Sequence, residues 1–234
     1  MNRFLSIIEL RAKKTLLPIL AAAAVMAAAS VIAAGTIFGK ALYISDRVFS
    51  IPMAAGAVAV FLILAGRRQK KSNLPARLSL LRVSKLCYYW ADELYCTMVF
   101  AILWAFEAAA LLVYFKIYRD YTPSGAGLAG MYLEIFATRL FRLLIPCEDT
   151  TAFLTMLVFC LSMGTAASAA RRAHDCGRFP ILPSLAIIAY AAALIFSRRI
   201  AALGVWAGFC FFCSFMSMNS SGPAEEESEA AENE

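Results

Sequence analysis

Charge is what this sequence has least of. Of its 234 residues only 16% are Asp, Glu, Lys or Arg, while 62% are hydrophobic. A soluble domain carries about 25% charged and about 45–50% apolar residues. A core cannot absorb that excess, because a domain of this size still has to show water a polar surface. Histidine is scarcer still. His174 is the single one, so neither Glu-x-x-His nor a paired-histidine spacing exists, and a zinc site needs three or four ligands. Glycine does not gather into a phosphate-binding loop: Gly125, Gly127 and Gly130 miss the Walker spacing. The polypeptide is therefore expected not to hydrolyse ATP by itself. Catalytic carboxylate–histidine sets of the kind found in intramembrane metalloproteases are also missing, so no enzyme and no cofactor is expected.

What is present is apolar sequence in long blocks. About 20 such residues cross a hydrocarbon core, and the bilayer is the solvent that accepts them. The blocks predict an all-α, polytopic integral membrane helical bundle of six spans, at 15–39, 49–66, 94–115, 151–170, 179–196 and 200–218. Together they make one transmembrane domain over 15–218. Pro18, Pro52, Pro180 and Pro183 fall early in their blocks, where a missing N–H costs least. The first block resembles a signal peptide in its basic leader and its Ala27–Ala29 run. A signal's apolar region, however, is about 7–15 residues, and this one is longer, so it is read as a retained span.

Lys and Arg bias loops toward the cytoplasm. With the amino terminus inside, 14 of the 22 basic residues fall on inner segments and 8 on outer ones. Arg67, Arg68, Lys70, Lys71, Arg77, Arg82 and Lys85, between spans two and three, carry the most weight. Six spans then return the carboxyl terminus to the cytoplasm. The basic balance, +6 overall, reads as inner loops facing anionic lipid, not as nucleic-acid binding. Residues 219–234 hold six glutamates and no aromatic, and without them the net charge would be +12. Such a tail cannot bury enough apolar surface to offset its ordering entropy. It is read as a disordered acidic tail, either simply solvated or partner-binding.

Three further segments carry pattern. In 1–14, Asn2, Ser6, Glu9 and Lys13 form a polar stripe opposite Phe4, Leu5 and Ile8, which predicts an amphipathic helix lying in the membrane surface. Residues 132–145 repeat the device on the outer side: Glu134, Thr138 and Arg142 oppose Leu133, Phe136, Leu140 and Leu144. In 73–86, Asn73 and Pro75 signal a helix start, and Leu74, Leu78 and Leu81 run among Arg77, Arg82 and Lys85. That segment is a docking element, a lipid-binding one, or an ordinary positive-inside loop.

Glu107 is the one charge well inside a span, on a helical face with Leu103, Trp104, Ala110, Leu111 and Tyr114. An acidic group there costs about 2.5–3.5 kcal/mol on insertion scales and usually faces a bundle interior or a wet cavity. It is either a structural hydrogen bond or a functional site. Asp92 and Glu93 are read as interfacial, within an aromatic belt of Tyr88, Tyr89, Trp90 and Tyr95. Cys210 and Cys213 form a C-x-x-C inside an apolar block, where cysteine behaves as a small hydrophobe. Gly164 with Ser168, and Gly204 with Gly208, are spaced for close helix approach.

Two resemblances can be stated. The octet from Arg171 to Arg178 is locally similar to the Arg-Arg-x-His-Asp-x-Gly loop of a family of small bacterial inner-membrane proteins, over those eight residues only. More of the chain resembles, in layout, the six-span permeases of type-2 ABC exporters. The likeness lies in the surface helix leading into an alanine-rich span, in the basic 73–86 segment, and in the Tyr89-Trp90-Ala91-Asp92-Glu93-Leu94-Tyr95 span start. Leu143-Leu144-Ile145-Pro146 with Glu148-Asp149 is similar to a stretch of the same proteins. The sequence departs from them in its long segment between spans three and four and its short turn between spans five and six. The resemblance implies a separate ATPase subunit docking through Arg77, Leu78, Leu81 and Arg82. It also implies a pathway formed with a second permease chain, identical or not, in which Glu107 would stand. The competing expectation is a scaffold or sensor that binds partners through its basic loop and acidic tail.

Overall fold

Alanine is the commonest of the first forty residues, and so small a side chain loses no rotamer freedom in a helix. In the computed structural model they form one unbroken helix, α1 (Asn2–Ile37). The structure describes residues 2–37, 47–65, 85–121, 139–145, 150–175 and 181–196, with 204–205, 208–209 and 211–212. After α1 come α2 (Arg47–Ala65), α3 (Lys85–Tyr121), the short α4 (Arg139–Leu144), α5 (Thr150–Asp175) and α6 (Ile181–Phe196). There is no strand among the described residues.

Four of these helices are long and apolar enough to cross a membrane, in the stretches Leu5–Thr36, Val48–Ala65, Cys87–Ile117 and Thr150–His174. The apolar part of α6, Ile181–Ala192, is shorter. Most of 200–218, all of the tail 219–234 and most of the basic segment 73–86 lie outside the described residues.

Two expectations change here. Residues 2–14 are the opening turns of the same helix that continues through 37, with no turn at 14–15. Pro18 accordingly sits in the interior of α1 and not near its start. It removes one N–H, and such prolines are tolerated in membrane helices where neighbouring groups satisfy the freed carbonyl. A helix of 36 residues is about 54 Å long against about 30 Å of hydrocarbon, so its ends must reach beyond that core.

α3 is the centre of the bundle. It packs along α1 and α5, while α2 touches α1, α3, α5 and α6. At one end Phe49 of α2 meets Tyr114 and Phe141 edge-on, with centroids 5.8 and 5.4 Å apart, and Phe115 meets Phe141 at 5.5 Å. These contacts draw α4 into the bundle. Leu140 and Leu144, expected to be available to lipid or protein, are both buried. At the middle, Phe159 of α5 lies between Trp104 of α3 and Tyr190 of α6, at 5.2 and 4.6 Å. Leu17, Val25 and Ile32 of α1 and Leu182, Leu185 and Ile188 of α6 face outward, as suits helices whose solvent is lipid. Hydroxyls in α5 turn back on their own helix: Thr155, Ser162 and Thr165 donate to the carbonyls of Thr151, Val158 and Leu161.

Helices in lipid gain no hydrophobic drive from meeting each other, so close approach of backbones matters more than in water. It is tightest at Gly164. A Cβ there would stand 2.9 Å from the backbone nitrogen and 3.0 Å from the Cα of Thr97, so α3 and α5 cross almost backbone to backbone. At Gly56 the obstacle is the side chain of Met26, with Cγ at 2.8 Å, and a flexible thioether can move aside. Gly164→Ala is therefore expected to lower the unfolding temperature of the detergent-solubilised chain, at a cost of about 1–3 kcal/mol. Gly56→Ala should cost less. A Gly164→Ala protein that melts with the wild type would mean that the two helices do not cross there.

Candidate functional site

The largest concentration of polar chemistry lies at the end of the bundle where α1 and α3 begin and α2 and α5 finish. Asp92, 1% exposed, accepts from Arg171 Nη1 at 2.6 Å. Arg11 Nη2 lies 3.4 Å from the same oxygen, Oδ1. Both guanidiniums are buried with it. Arg171 Nε also donates to the backbone carbonyl of Leu64 at 3.1 Å, in the last turn of α2. One buried cluster thus fastens four helices.

Aromatic and hydroxyl groups complete it. Arg11 Nη2 donates to the hydroxyl of Tyr88. Thr15 Oγ1 donates to the Arg11 carbonyl at 3.0 Å, so Tyr95 Oη, 2.5 Å from the same Thr15 oxygen, is the donor of that second bond. On the next flank of α3, Glu93 stands beside Ser168 and Arg172. Arg172 donates to Ser168 Oγ at 2.6 Å and its guanidinium lies 4.2 Å over the Tyr89 ring. Trp90 is well exposed. Of the four aromatics read as a membrane belt, Tyr89 and Trp90 face outward. Tyr88 and Tyr95 turn inward to hold Arg11 and Thr15.

The second polar place is Glu107, fully buried. Ser30 of α1 donates to its Oε1 at 2.6 Å. Its Oε2 has no partner among the described residues, nor does the indole Nε1 of Trp104 one turn earlier. Leu103, Trp104, Ala110, Leu111 and Tyr114, the face read from the sequence, are all buried with it.

The bonds from α1 to α3 run in parallel register. Arg11 meets Asp92, Thr15 meets Tyr95, and Ser30 meets Glu107. The two helices therefore travel side by side for about 22–28 Å, at about 1.5 Å per residue.

The other expected site residues are placed as follows. Arg77, Leu78, Leu81 and Arg82 lie outside the described residues, as do Cys210 and Cys213. A Cβ on Gly204 would meet Thr155 Oγ1 at 3.3 Å, while one on Gly208 would meet nothing within 4 Å. His174 is exposed in the last turn of α5, not in a loop. The helix runs on past residue 170 because Arg171 and Arg172 find partners on its neighbours. Asp92, expected at the membrane interface, is buried within the bundle, and the reason is the pair of arginines that meet it from α1 and α5. Sequence reading placed all three groups on the same side of the membrane but paired none of them. No group of three or more metal-ligating side chains occurs among the described residues.

Fold and site together define an all-helical chain with four helices able to cross a membrane, clamped at one end by buried ion pairs. No family model matches the chain, and no curated protein and no solved structure matches it.

Removing one partner of a buried ion pair costs about 3–5 kcal/mol, because the other charge is left uncompensated. Asp92 compensates two. Asp92→Asn is expected to destabilise the chain by at least that amount in thermal melts. Arg171→Met should cost more than Arg11→Met, since Arg171 makes the shorter contact and also holds Leu64. Asp92→Leu combined with Arg171→Met should recover part of the loss. Melting of Asp92→Asn together with the wild type would remove the clamp from the account.

Proposed function

We propose that this is a six-span protein of a bacterial plasma membrane with both termini in the cytoplasm. In this reading it is the permease subunit of an ABC-type transporter, paired with a second permease chain. A separate ATPase docks on residues 73–86 through Arg77, Leu78, Leu81 and Arg82. The observation that supports this reading most is where the 66–84 connection is anchored. The chain leaves α2 just after Leu64 and re-enters α3 seven residues before Asp92. A single side chain, Arg171, bonds both places, at the Leu64 carbonyl and the Asp92 carboxylate.

A push or pull on the docking segment therefore arrives at the one cluster that also holds α1 and α5. A loop anchored to lipid-facing turns would dissipate such a force in local fraying. A connection whose two flanking helices are bonded by one buried guanidinium passes it to four helices together. That is what a subunit driven by a separate ATPase requires, since it must turn events outside the membrane into a change of helix arrangement inside it. The basic character of the segment suits an acidic or leucine-lined surface on the partner.

The test is gentle detergent purification of the tagged full chain from its native membrane, with mass spectrometry of what accompanies it. A stoichiometric ATPase bearing a Walker motif is expected. Arg77→Glu with Arg82→Glu should cut the retained ATPase by roughly tenfold, which corresponds to about 1.4 kcal/mol, with the melting temperature unchanged. Recovery of the chain alone, or with non-ATPase proteins, would overturn the transporter reading in favour of a scaffold or sensor.

A further inference from the structure

Glu107 is asked to do something that Ser30 alone does not explain. The carboxyl is fully buried and has no ion-pair partner among the described residues. Among the described residues its polar contact is one hydroxyl, on Oε1, and Oε2 is left bare. A carboxylate without a counter-charge in an apolar interior carries a cost that a cation or a proton must relieve.

The surroundings narrow the choice. Residues 19–37 of α1 and 48–65 of α2 contain no ionisable side chain. α5 contributes only Cys160 before its final arginines and α4 the half-buried Arg142 at the aromatic end, while α3 itself carries Asp92, Glu93, Tyr95 and Cys96 toward one end and Tyr114 and the exposed Lys116 toward the other. α6 adds Tyr190, which stacks on Phe159. The unpartnered group nearest along the helix, Trp104 Nε1, is a donor, and a donor is a poor ligand for a metal cation. Ser30 and Glu107 are too few oxygens to replace the shell of a hydrated ion, which takes six or more for calcium and near-octahedral coordination for magnesium. A proton needs one oxygen.

The two ends of the bundle differ in what they offer such a proton. Beyond Glu107 the aromatic group of Phe49, Tyr114, Phe115 and Phe141 closes the interior. In the other direction Glu93, Thr97, Trp104 and Glu107 lie within about 80° of one another around α3, at 3.6 residues per turn. Thr97 Oγ1, like Trp104 Nε1 and Glu107 Oε2, is buried without a partner. It lies against Gly164, where α5 has no side chain. Phe100, fully buried, stands on the same face between Thr97 and Trp104 and interrupts the polar line.

We propose that Glu107 is a reversible proton-binding site, supplied from the Asp92 end of the bundle along the α3 face that carries Glu93 and Thr97. On binding, a lone pair of Oε2 forms the O–H bond, a hydronium ion from solution becomes water, and the carboxyl becomes neutral. This inference does not rest on the ATPase reading and holds for a scaffold or sensor equally.

Infrared difference spectroscopy of the full chain in lipid vesicles tests it, with the proton itself as probe. The wild type should show a carboxylic-acid carbonyl band that is lost as pH rises and returns when pH is lowered, and Glu107→Gln should lack it. Ser30→Ala keeps the carboxyl but removes its hydroxyl donor, and should displace the midpoint of that band. It also decides the matter if Glu107→Gln does not fold: an unmoved midpoint overturns the proposal. Spectra of wild type and Glu107→Gln that superimpose at every pH overturn it as well. So does a Glu107 band that never changes while the chain stays folded, which would mark a fixed structural hydrogen bond. None of these readouts requires an ATPase, so failure here and failure of the transporter reading are separate events.

Discussion

One carboxylate shared by two buried guanidiniums is the interaction on which the arrangement of this bundle depends. In lipid the hydrocarbon is as apolar as the side chains, so burying leucine against leucine selects no particular neighbour. Specific polar contacts must do the selecting. Asp92 takes Arg11 from α1 and Arg171 from α5 on one oxygen, and Arg171 adds the Leu64 carbonyl of α2. Desolvating three charges is expensive, and attraction offsets it only with good geometry and further hydrogen bonds. Tyr88, with the Thr15–Tyr95 pair close by, supplies such bonds. Slipping α1 by one residue would rotate Arg11 away by about 100° and leave Asp92 half-compensated. The cluster therefore fixes register as well as adhesion.

From that clamp the rest of the bundle follows in order. Register at Arg11 sets Thr15 beside Tyr95 and, farther along, Ser30 beside Glu107. Register at Arg171 sets Gly164 against Thr97, two turns closer to the middle, where a side chain of any size would force α3 and α5 apart. The opposite end is held differently, by edge-on aromatic rings that tolerate small shifts. One end is thus polar and exacting, the other apolar and forgiving. A bundle built that way can rearrange at its aromatic end while keeping its helices in register at the other.

Much of this was legible in the sequence, for reasons that also explain what was not. Length and apolarity marked the helices, because the thickness of the hydrocarbon acts on every span alike. Glu107 stood out as a lone charge, and its helical face was readable because side chains three and four apart share a side. The burial of Asp92 was not legible because nothing local distinguishes an acid turned outward from one turned into the bundle. Its partners lie 81 and 79 positions away, and no periodicity spans that distance. The nearest clue was that Arg11, Asp92 and Arg171 all fall at span ends expected on one side of the membrane, where three charges of mixed sign invite pairing. Pro18 misled for a related reason. A proline near the start of an apolar block suggests a helix start, yet the polar residues before it were already helical, held by the same clamp.

The clamp also sets the depth of Glu107. If Asp92 marks the inner boundary of the hydrocarbon, Glu107 lies about 22 Å farther along α3, at about 1.5 Å per residue. That is roughly three-quarters of the way across a core of about 30 Å. Lys116, exposed and nine residues beyond, then falls outside the core on the far side, which is where a lysine belongs. On that premise the carboxyl is closer to the far surface but separated from it by the aromatic rings, and its polar face leads toward Asp92. A charge moved from the inner boundary to Glu107 would cross most of the membrane field, worth about 2.3 kcal/mol per 100 mV for a full crossing. Three-quarters of that is about 1.7 kcal/mol, somewhat more than a tenfold change in occupancy. The position that makes Glu107 hard to reach is the same one that would make its protonation respond to the membrane potential.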